Sequence, residues 1–407
     1  MMHAGLQAVL WEDKDMAERN LAFDDVINRR NTGSMKYDFA EKNGMPADVL
    51  PLWVADMDFR TSSYVEDALT ARAKHAIFGY TEPQEGYFKA VHGWFERHHG
   101  WDVKEEWLLR TPGVVFAFSI AVQAYTQPGE SVIIQNPVYY PFSNAVLNNG
   151  RKLVSSDLFL GEDNRYHIDF EDFEKKVKEN NVRLFILCSP HNPVARVWTK
   201  EELEALGDIC VKYGVVVMSD EIHQDFVFKG EHHCFAEIKD EFKEISVIAT
   251  APSKTFNLAG LALSNIFIPD KRLKKKYEER LYACGMFHLN AMGITACEAA
   301  YDYGDEWYKA MMAYVGANIE FIGEFVKNDL PGVTLIEHEG TYLPWLDFRG
   351  TGKSAEEIDD LMINKAKLWL DSGSMFGKCG AGFQRINVAC PRITLEDAMQ
   401  RMKKILE

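Results

Sequence analysis

The second half of the chain alternates between apolar runs and amphipathic segments in a regular order. Strand, helix and strand at this spacing predict right-handed crossovers and a parallel sheet. Ligands bind such sheets at the carboxyl ends of the strands, so the polar residues that follow each run are informative. The predicted elements are strands at 184–188, 215–218 and 245–249, and a helix at 199–213 with Thr199 as its N-cap.

The flanking regions complete the pattern. Before the alternating region, the sequence predicts helices at 64–73, 86–99 and 115–125 and a strand at 131–135. After it, the chain is helical from about residue 281 to 300 and again at 307–326. The C-terminal part predicts strands near 333–336, 342–346 and 383–388 and helices near 355–370 and 395–406.

We therefore predict an α/β fold with two domains. A large domain at 50–290 carries a mostly parallel sheet with the active site at its strand ends. Residues 291–407 form a linking helix and a smaller C-terminal α/β domain, and residues 1–49 are a segment that packs with the small domain.

Composition and charge exclude several classes of partner. The chain has 407 residues, 47% of them hydrophobic and 26% charged, which is typical of an ordinary folded protein. Its formal charge of -16 argues against nucleic acid or an anionic membrane surface as a partner, because both are negative. With no long apolar run and no signal-like N-terminus, we expect a cytoplasmic protein without membrane contact.

The cysteines predict neither disulfides nor a metal site. Seven are scattered along the chain and none form a CxxC pair, so reduced thiols are expected. The run at 232–234, two histidines and a cysteine, could ligate a metal, but a polar loop is the favoured interpretation.

The most informative lysine is Lys254, in the stretch TAPSKTFNLAGL at 250–261. An apolar run at 245–249 would deliver it to the edge of a core. Burial disfavours the ammonium form and lowers its pKa, which makes the amine a nucleophile that can condense with an aldehyde. On this segment alone, a lysine that snorkels to water is the favoured interpretation.

Other strand ends carry residues that suit a cofactor with a pyridine ring. Asp220 would keep the ring nitrogen protonated, Asn192 and His223 would hydrogen-bond its phenolate, and Tyr139 would stack on its face. The helix start after Gly113 would suit a phosphate ester. Each residue has a structural alternative, such as a helix cap or a surface ion pair.

Taken together, these segments resemble the fold type I pyridoxal-phosphate enzymes of the aspartate aminotransferase superfamily. Within it, the chain is most similar to the MalY/PatB class of cystathionine β-lyases, or C–S lyases. The resemblance rests on WVADMDF (53–59), FGYT (78–81), TPGVV (111–115), NPVYYPF (136–142), SPHNPV (189–194), SDEIH (219–223), APSKTFNLAGL (251–261), GTYLPWLDFR (340–349) and FQRINVACPR (383–392).

The resemblance implies a role for each matching residue. Lys254 would form the Schiff base with pyridoxal 5'-phosphate and shuttle the proton, Asp220 would face the pyridinium, and Asn192 and His223 the phenolate. Arg385 would bind the substrate α-carboxylate, with the backbone of Ala55 beside it. The remaining implied contacts are stacking by Tyr139, phosphate binding at Gly113, Val114, Val115, Thr250 and Ser253, and Tyr80 as a catalytic residue that reaches the phosphate of the neighbouring subunit.

The implied function is β-elimination from L-cystathionine or a related cysteine S-conjugate by a homodimer with shared active sites. Ala262 stands where many aminotransferases of the superfamily carry a phosphate-binding arginine, which favours the lyase class. Transamination stays the alternative, because both reactions begin by removing the Cα proton. The resemblance also leaves room for binding to a regulator protein, since MalY-like proteins are known to bind one.

Overall fold

The computed structural model describes residues 17–407, and the N-terminal part of the predicted 1–49 segment lies outside them. The strands, numbered in chain order, are β1 Leu50–Pro51, β2 Leu108–Thr111, β3 Ser131–Ile134, β4 Lys152–Ser155, β5 Phe159–Leu160, β6 Tyr166–His167, β7 Val182–Cys188, β8 Val216–Asp220, β9 Ser246–Thr250, β10 Ser264–Phe267, β11 Thr334–Leu335, β12 Trp345–Asp347, β13 Leu368–Trp369, β14 Asp371–Ser372 and β15 Phe383–Arg385.

The helices lie mainly between these strands and beyond the last of them. In chain order they are α1 Met35–Asp38, α2 Ser63–His75, α3 Glu85–His99, α4 Val114–Tyr125, α5 Pro141–Asn148, α6 Phe170–Glu179, α7 Lys200–Tyr213, α8 Pro252–Thr255, α9 Lys271–Ala283, α10 Ala291–Tyr303, α11 Asp305–Asp329, α12 Ala355–Asp360 and α13 Arg392–Leu406. No helix among residues 17–407 is long and apolar enough to cross a bilayer.

The central sheet has seven strands in the order β2-β10-β9-β8-β7-β3-β4. Strands β9, β8, β7, β3 and β4 run parallel to one another, and β10 runs antiparallel to both β9 and β2. Alternate residues of the central strands enter two different apolar cores: Phe185 and Leu187 face one, Leu184 and Ile186 the other. Burial on both faces explains the continuous apolar runs in the sequence and confirms the predicted α/β class.

A second, antiparallel sheet of four strands has the order β11-β12-β15-β14. The 25-residue helix α11 precedes it in the chain, where the sequence predicts a linking helix. Helix α7 begins after Thr199, whose side chain and that of Glu202 form a complete capping box, so the predicted N-cap is confirmed.

Several predicted elements differ from the observed ones. The predicted helix at 281–300 is interrupted between Ala283 and Ala291, and the predicted strands at 342–346 and 383–388 are observed as Trp345–Asp347 and Phe383–Arg385. Strand β8 continues to Asp220 because this residue pairs with Cys188 on one side and Ala249 on the other. Strand β9 likewise includes Thr250. The predicted helix at 355–370 stops early: α12 ends at Asp360, a π-helical turn follows, and residues 368–369 form β13.

Residues 368–369 form strand β13 rather than helix because they pair with strand β1. Leu50 lies opposite Leu368 in parallel register, and Trp53 stacks on Trp369 with ring centroids 4.3 Å apart. This tertiary pairing outweighs the helical periodicity of the local sequence. Ala40 and Val49 also pack with Trp369 in a small apolar cluster. The domain boundaries at 49/50 and 290/291, and the packing of residues 1–49 with a small domain, stay predictions.

Candidate functional site

A cavity of about 160 Å³ lies at the carboxyl ends of β7, β8 and β9. This is the position that a parallel sheet offers to a ligand. Most of the residues singled out from the sequence line it, although they come from segments far apart in the chain. These are Ala55, Gly113, Val114, Val115, Tyr139, Asn192, Asp220, His223, Ser253 and Lys254.

Lys254 lies on the short helix α8, directly after strand β9. Its Nζ donates a hydrogen bond to the carbonyl oxygen of Ala55 at 2.7 Å. Burial, together with the positive charge of Arg385, lowers the pKa of Lys254 to about 8. The ammonium therefore does not snorkel into open solvent, and near pH 8 a large fraction of this lysine is a neutral amine.

Asp220 is the last residue of β8 and is buried, with 4% of its surface exposed. Its Oδ1 accepts a hydrogen bond from the backbone amide of Ile222 at 3.2 Å. Burial raises the pKa of Asp220 to about 7, against the opposing effects of that amide and of Lys254. A cation placed against this carboxylate would favour its charged form, as expected of a partner for a protonated ring nitrogen.

Asn192 and His223 offer polar groups to the same cavity. The Oδ1 of Asn192 accepts a hydrogen bond from Arg385 at 2.9 Å, which leaves the amide NH₂ of Asn192 as a donor. The Nδ1 of His223 is buried without a hydrogen-bond partner, and burial holds the pKa of this ring well below its ordinary value. A buried polar atom without a partner indicates a site that a polar ligand completes.

The start of helix α4 lies at the edge of the cavity. The N-cap is Gly113, which has no side chain that could cap the helix, so the amides of Val114 and Val115 receive no side-chain capping hydrogen bond. A Cβ added to Gly113 would meet no atom within 4 Å, which shows open space beside the helix start. Free amides and the helix dipole attract an anionic group here, and Ser253 brings a hydroxyl to the same cavity.

Arg385 lies on β15, behind Asn192, and does not line the cavity itself. Its guanidinium donates to Asn192, donates to the carbonyl of Trp53 at 2.9 Å, and forms a close ion pair with the buried Asp371. The sequence gives no signal for Asp371, which is a single acidic residue in a two-residue strand. The same holds for Tyr342, whose hydroxyl donates to the carbonyl of Ala55 at 2.9 Å.

Besides Arg385, two more predicted site residues lie outside the cavity. Thr250 is fully buried in β9, and its hydroxyl donates to the carbonyl of Asn265 at 3.3 Å. The sheet ladder extends to this residue and turns its hydroxyl toward the neighbouring strand, so the geometry does not support phosphate binding by Thr250. Tyr80 is 93% exposed and packs beside the ring of His288, away from the cavity. Its predicted role in a neighbouring subunit stays a prediction.

The residues present fit pyridoxal phosphate. The amine of Lys254 suits the aldehyde, the buried Asp220 suits the ring nitrogen, and Asn192 and the unpartnered His223 suit the ring oxygen. The start of helix α4 suits the phosphate. All seven cysteines are free, and the described residues contain no cluster of ligands suited to a metal ion.

Comparisons with known proteins agree with this geometry. The cystathionine β-lyase PatB of Bacillus subtilis is 44% identical over 94% of this chain and 99% of its own length. Among solved structures, cystalysin of Treponema denticola, which contains a pyridoxal 5'-phosphate cofactor, matches with a TM-score of 0.91 at 36% identity, over 96% of this chain and 99% of its own. A pyridoxal-phosphate-bound C–S lyase of Staphylococcus hominis matches with a TM-score of 0.87 at 32% identity, over 94% and 97%.

These similarities confirm the resemblance to fold type I enzymes and to the MalY/PatB class. The sequence pattern of the family "Aminotransferase class I and II" matches residues 47–402, which include every residue that lines the cavity. The chain belongs to the aminotransferase class I and II family.

Proposed function

We propose that this chain is a pyridoxal-phosphate-dependent C–S β-lyase. Its substrates are L-cystathionine or related cysteine S-conjugates, and its products are a thiol, pyruvate and ammonia. The observation that carries the proposal is the half-buried Lys254 facing the same cavity as Asp220, in a chain that is 44% identical to a cystathionine β-lyase over nearly its whole length.

Four groups of residues would hold the cofactor. Asp220 would face the ring nitrogen, Asn192 and His223 would donate to the ring oxygen, Tyr139 would cover the ring, and the start of helix α4 with Ser253 would bind the phosphate. Tyr139 is itself fixed, because its backbone amide donates to the carbonyl of Asn192 at 3.1 Å. When bound, the cofactor supplies an aldehyde that condenses with amines and a protonated ring that withdraws electrons from the substrate Cα.

Lys254 moves the proton. As a neutral amine, its Nζ takes the proton from the substrate Cα, and its lowered pKa keeps this form available near neutral pH. The electron pair left on Cα forms a bond to Cβ while the bond from Cβ to sulfur breaks, and the sulfur leaves as a thiolate. The remaining enamine takes up water and yields pyruvate and ammonia.

Arg385 would bind the substrate carboxylate. Its guanidinium is oriented by Asn192, Trp53 and Asp371, so little conformational freedom is lost when a carboxylate binds. Asn192 lies in the cavity and in contact with Arg385, and so links the site of the cofactor to the site of the carboxylate. The backbone of Ala55 lines the cavity as well.

The alternative to elimination is transamination. Among the described residues that line the cavity, Lys254 is the only lysine or arginine, and Ala262 lines it where many aminotransferases have an arginine. A transaminase for dicarboxylic acids needs a further cation for the side-chain carboxylate, which disfavours that specificity.

The deciding experiment measures pyruvate release from L-cystathionine with and without 2-oxoglutarate. A lyase releases pyruvate, ammonia and thiol in equal amounts without an acceptor. Strict dependence on 2-oxoglutarate, with the sulfur still attached to the product, would identify an aminotransferase instead.

We further propose a homodimer in which Tyr80 completes the site of the partner. Tyr80 belongs to an exposed apolar surface next to the helix connection at 284–290, and monomers rarely leave such surfaces open. Its large apolar members are Ile77, Phe78, Tyr80, Tyr282 and Phe287.

Subunit mixing tests the shared site. Lys254→Ala and Tyr80→Ala chains, each poorly active alone, should regain activity when unfolded and refolded together, because one site of the hybrid keeps both residues. Activity equal to the average of the two separate proteins, or an active monomer in sedimentation, would exclude shared sites.

A further inference from the structure

Residues 53–59, called the strap here, form a segment without helix or strand that crosses the cavity region. Its backbone carbonyls are bound by side chains of the site. Trp53 accepts a hydrogen bond from Arg385 at 2.9 Å, and Ala55 accepts from Lys254 at 2.7 Å and from Tyr342 at 2.9 Å. The position of the strap therefore decides where the amine of Lys254 is held.

Two asparagines hold the rest of the strap. Asn387 donates to two strap carbonyls at 2.6 Å each, and Asn257 donates to two others at 2.9 and 3.0 Å. These contacts join the strap to the segment after β15 and to the segment after Lys254. A segment without its own ladder of hydrogen bonds depends on such side-chain contacts for its position.

A further set of contacts to the strap is made through its acidic residue Asp58. Asp58 is 5% exposed and accepts three hydrogen bonds: from Lys36 at 2.8 Å, from Arg29 at 2.7 Å and from the hydroxyl of Tyr37 at 3.0 Å. Arg29 also donates to Asp56 at 2.6 Å. All of these donors belong to residues 29–37, called the arm here.

This cluster is unusual because Lys36 has no exposed surface at all. Burying an ion pair is a weak way to stabilise a fold, since apolar residues of similar volume often do better. A buried pair does fix one geometry, because any displacement leaves a buried charge without its partner. Here the pair fixes the position of the strap, whose Ala55 carbonyl accepts the hydrogen bond from Lys254.

We propose that Asp58 is a positioning residue, held by Lys36, Arg29 and Tyr37, that fixes the strap so that the Ala55 carbonyl holds the amine of Lys254 inside the cavity. This inference rests on the proposed role of Lys254 in the reaction. It assigns to the arm a function in the active site, although no arm residue lines the cavity.

The consequence is a measurable change at Lys254. The charged and titratable groups that face it are Arg385, Asp56, Asp220 and His223, and Tyr342 shares its carbonyl acceptor. If the strap loosens, water reaches the amine and the ammonium form is stabilised. The apparent pKa of Lys254 then rises toward the ordinary value of a lysine, about 10.4.

The test uses the full-length chain freed of cofactor. The rate at which an amine-reactive reagent modifies Lys254, followed by mass spectrometry of its peptide across a range of pH, gives the apparent pKa. Asp58→Asn and Lys36→Met are compared with the parent chain. The proposal expects both variants to raise the pKa by about one or more, so that the reactive amine falls roughly tenfold at neutral pH.

Charge alone predicts a different pattern. Removing the negative charge of Asp58 would lower the pKa of Lys254, whereas removing the positive charge of Lys36 would raise it. Opposite shifts in the two variants, or no shift in Asp58→Asn, would therefore overturn the proposal. The matched control is Asp67→Asn, which breaks the exposed pair of Asp67 with Arg19 at 2.8 Å and leaves the strap untouched. An equal rise in this control would also overturn the proposal.

If Asp58→Asn does not fold, Tyr37→Phe takes its place, since it removes one donor to Asp58 without changing any charge. It should raise the pKa of Lys254 by a smaller amount, and an unchanged value would count against the proposal. Because the modification rate requires no turnover, a chain that lacks lyase activity would still give this result. Failure of the proposed function and failure of this inference are thus separable.

Discussion

Asp220 and Asp58 are two carboxylates buried to nearly the same depth, with 4% and 5% of their surface exposed. Asp220 accepts one backbone hydrogen bond and faces a cavity, and burial raises its pKa to about 7. Burial would also raise the pKa of Asp58, but Lys36 and Arg29 outweigh burial and hold that pKa below its ordinary value.

The difference distinguishes a carboxylate that faces a ligand site from one that stabilises the fold. Asp58 has all of its partners within the chain, so its charge fixes structure. Asp220 has too few partners, and its charged form becomes favourable only when a cationic ligand group arrives. Depth of burial therefore says little about function by itself. The number of partners that the protein supplies to the buried group is the more informative quantity.

The largest effect is expected at Lys254. Lys254→Ala should lower turnover of L-cystathionine by roughly 10²- to 10⁴-fold or more, because the proton-transfer group is lost. Pyruvate release measures the change. Lys212→Ala, which removes an exposed lysine paired with Glu174, is the matched control and should keep parental activity. Full turnover in Lys254→Ala would show that Lys254 is not the proton-transfer group.

The second prediction exchanges the two carboxylates for amides. Asp220→Asn should lower kcat by about 10²-fold or more, because the ring nitrogen loses its anionic partner. Its free energy of unfolding should not fall in the cofactor-free chain, because no charged partner is stranded and the cost of burying the Asp220 carboxylate is removed. Asp58→Asn leaves Lys36 and Arg29 without their shared partner and should cost about 3 to 5 kcal/mol of stability. Urea unfolding measures the stability of both variants, and steady-state kinetics measure their kcat. Equal losses of stability in the two variants would contradict this prediction.

The third prediction concerns pH in the cofactor-free chain. The folded-state pKa of Asp220 is raised, so between about pH 4 and 7 the folded state holds a proton that the unfolded state has released. Stability should fall with rising pH across this window, by at most about 1.4 kcal/mol per pH unit, and this slope should vanish in Asp220→Asn.

Asp58 should behave with the opposite sign. Its folded-state pKa is lowered, so its stabilisation is present above about pH 4 and is lost as the pH falls through the folded pKa. Unfolding free energies of the parent and both variants between pH 3 and 8 give the two slopes. The slope that each carboxylate contributes is the slope of the parent minus that of its variant. Slopes of the same sign for Asp220 and Asp58 would contradict the difference between the two carboxylates.

The smallest effect separates two neighbouring hydroxyls. Ser253 lines the cavity, so Ser253→Ala should weaken binding of pyridoxal phosphate by about tenfold, the value of one hydrogen bond to a charged group. Thr250→Val should leave this affinity nearly unchanged, because the Thr250 hydroxyl donates to the carbonyl of Asn265. Titration of the cofactor-free chain measures both. A large loss in Thr250→Val alone would restore the phosphate role predicted from the sequence.

Local sequence predicts the elements that position the site. The capping box of Thr199 and Glu202 acts over four residues. The apolar run of β7 is continuous in the sequence, which predicts burial on both faces, and both faces are buried. The polar residues at the strand ends, such as Asp220 and Lys254, follow from the rule that parallel strands share one functional edge. The sequence therefore determined the α/β class, the location of the cavity and most of its lining.

The tertiary structure alone decided which distant groups meet. Strand β13 replaces a predicted helix because Leu368 pairs with Leu50, and Arg385 acquires Asp371 as a buried counter-ion. Lys36 and Asp58 form an ion pair although 22 positions separate them in the chain. A side chain takes its pKa and its hydrogen-bond partners from whatever the fold brings within a few ångströms. Those neighbours are set by packing between segments, which no local pattern of hydrophobic and polar residues encodes.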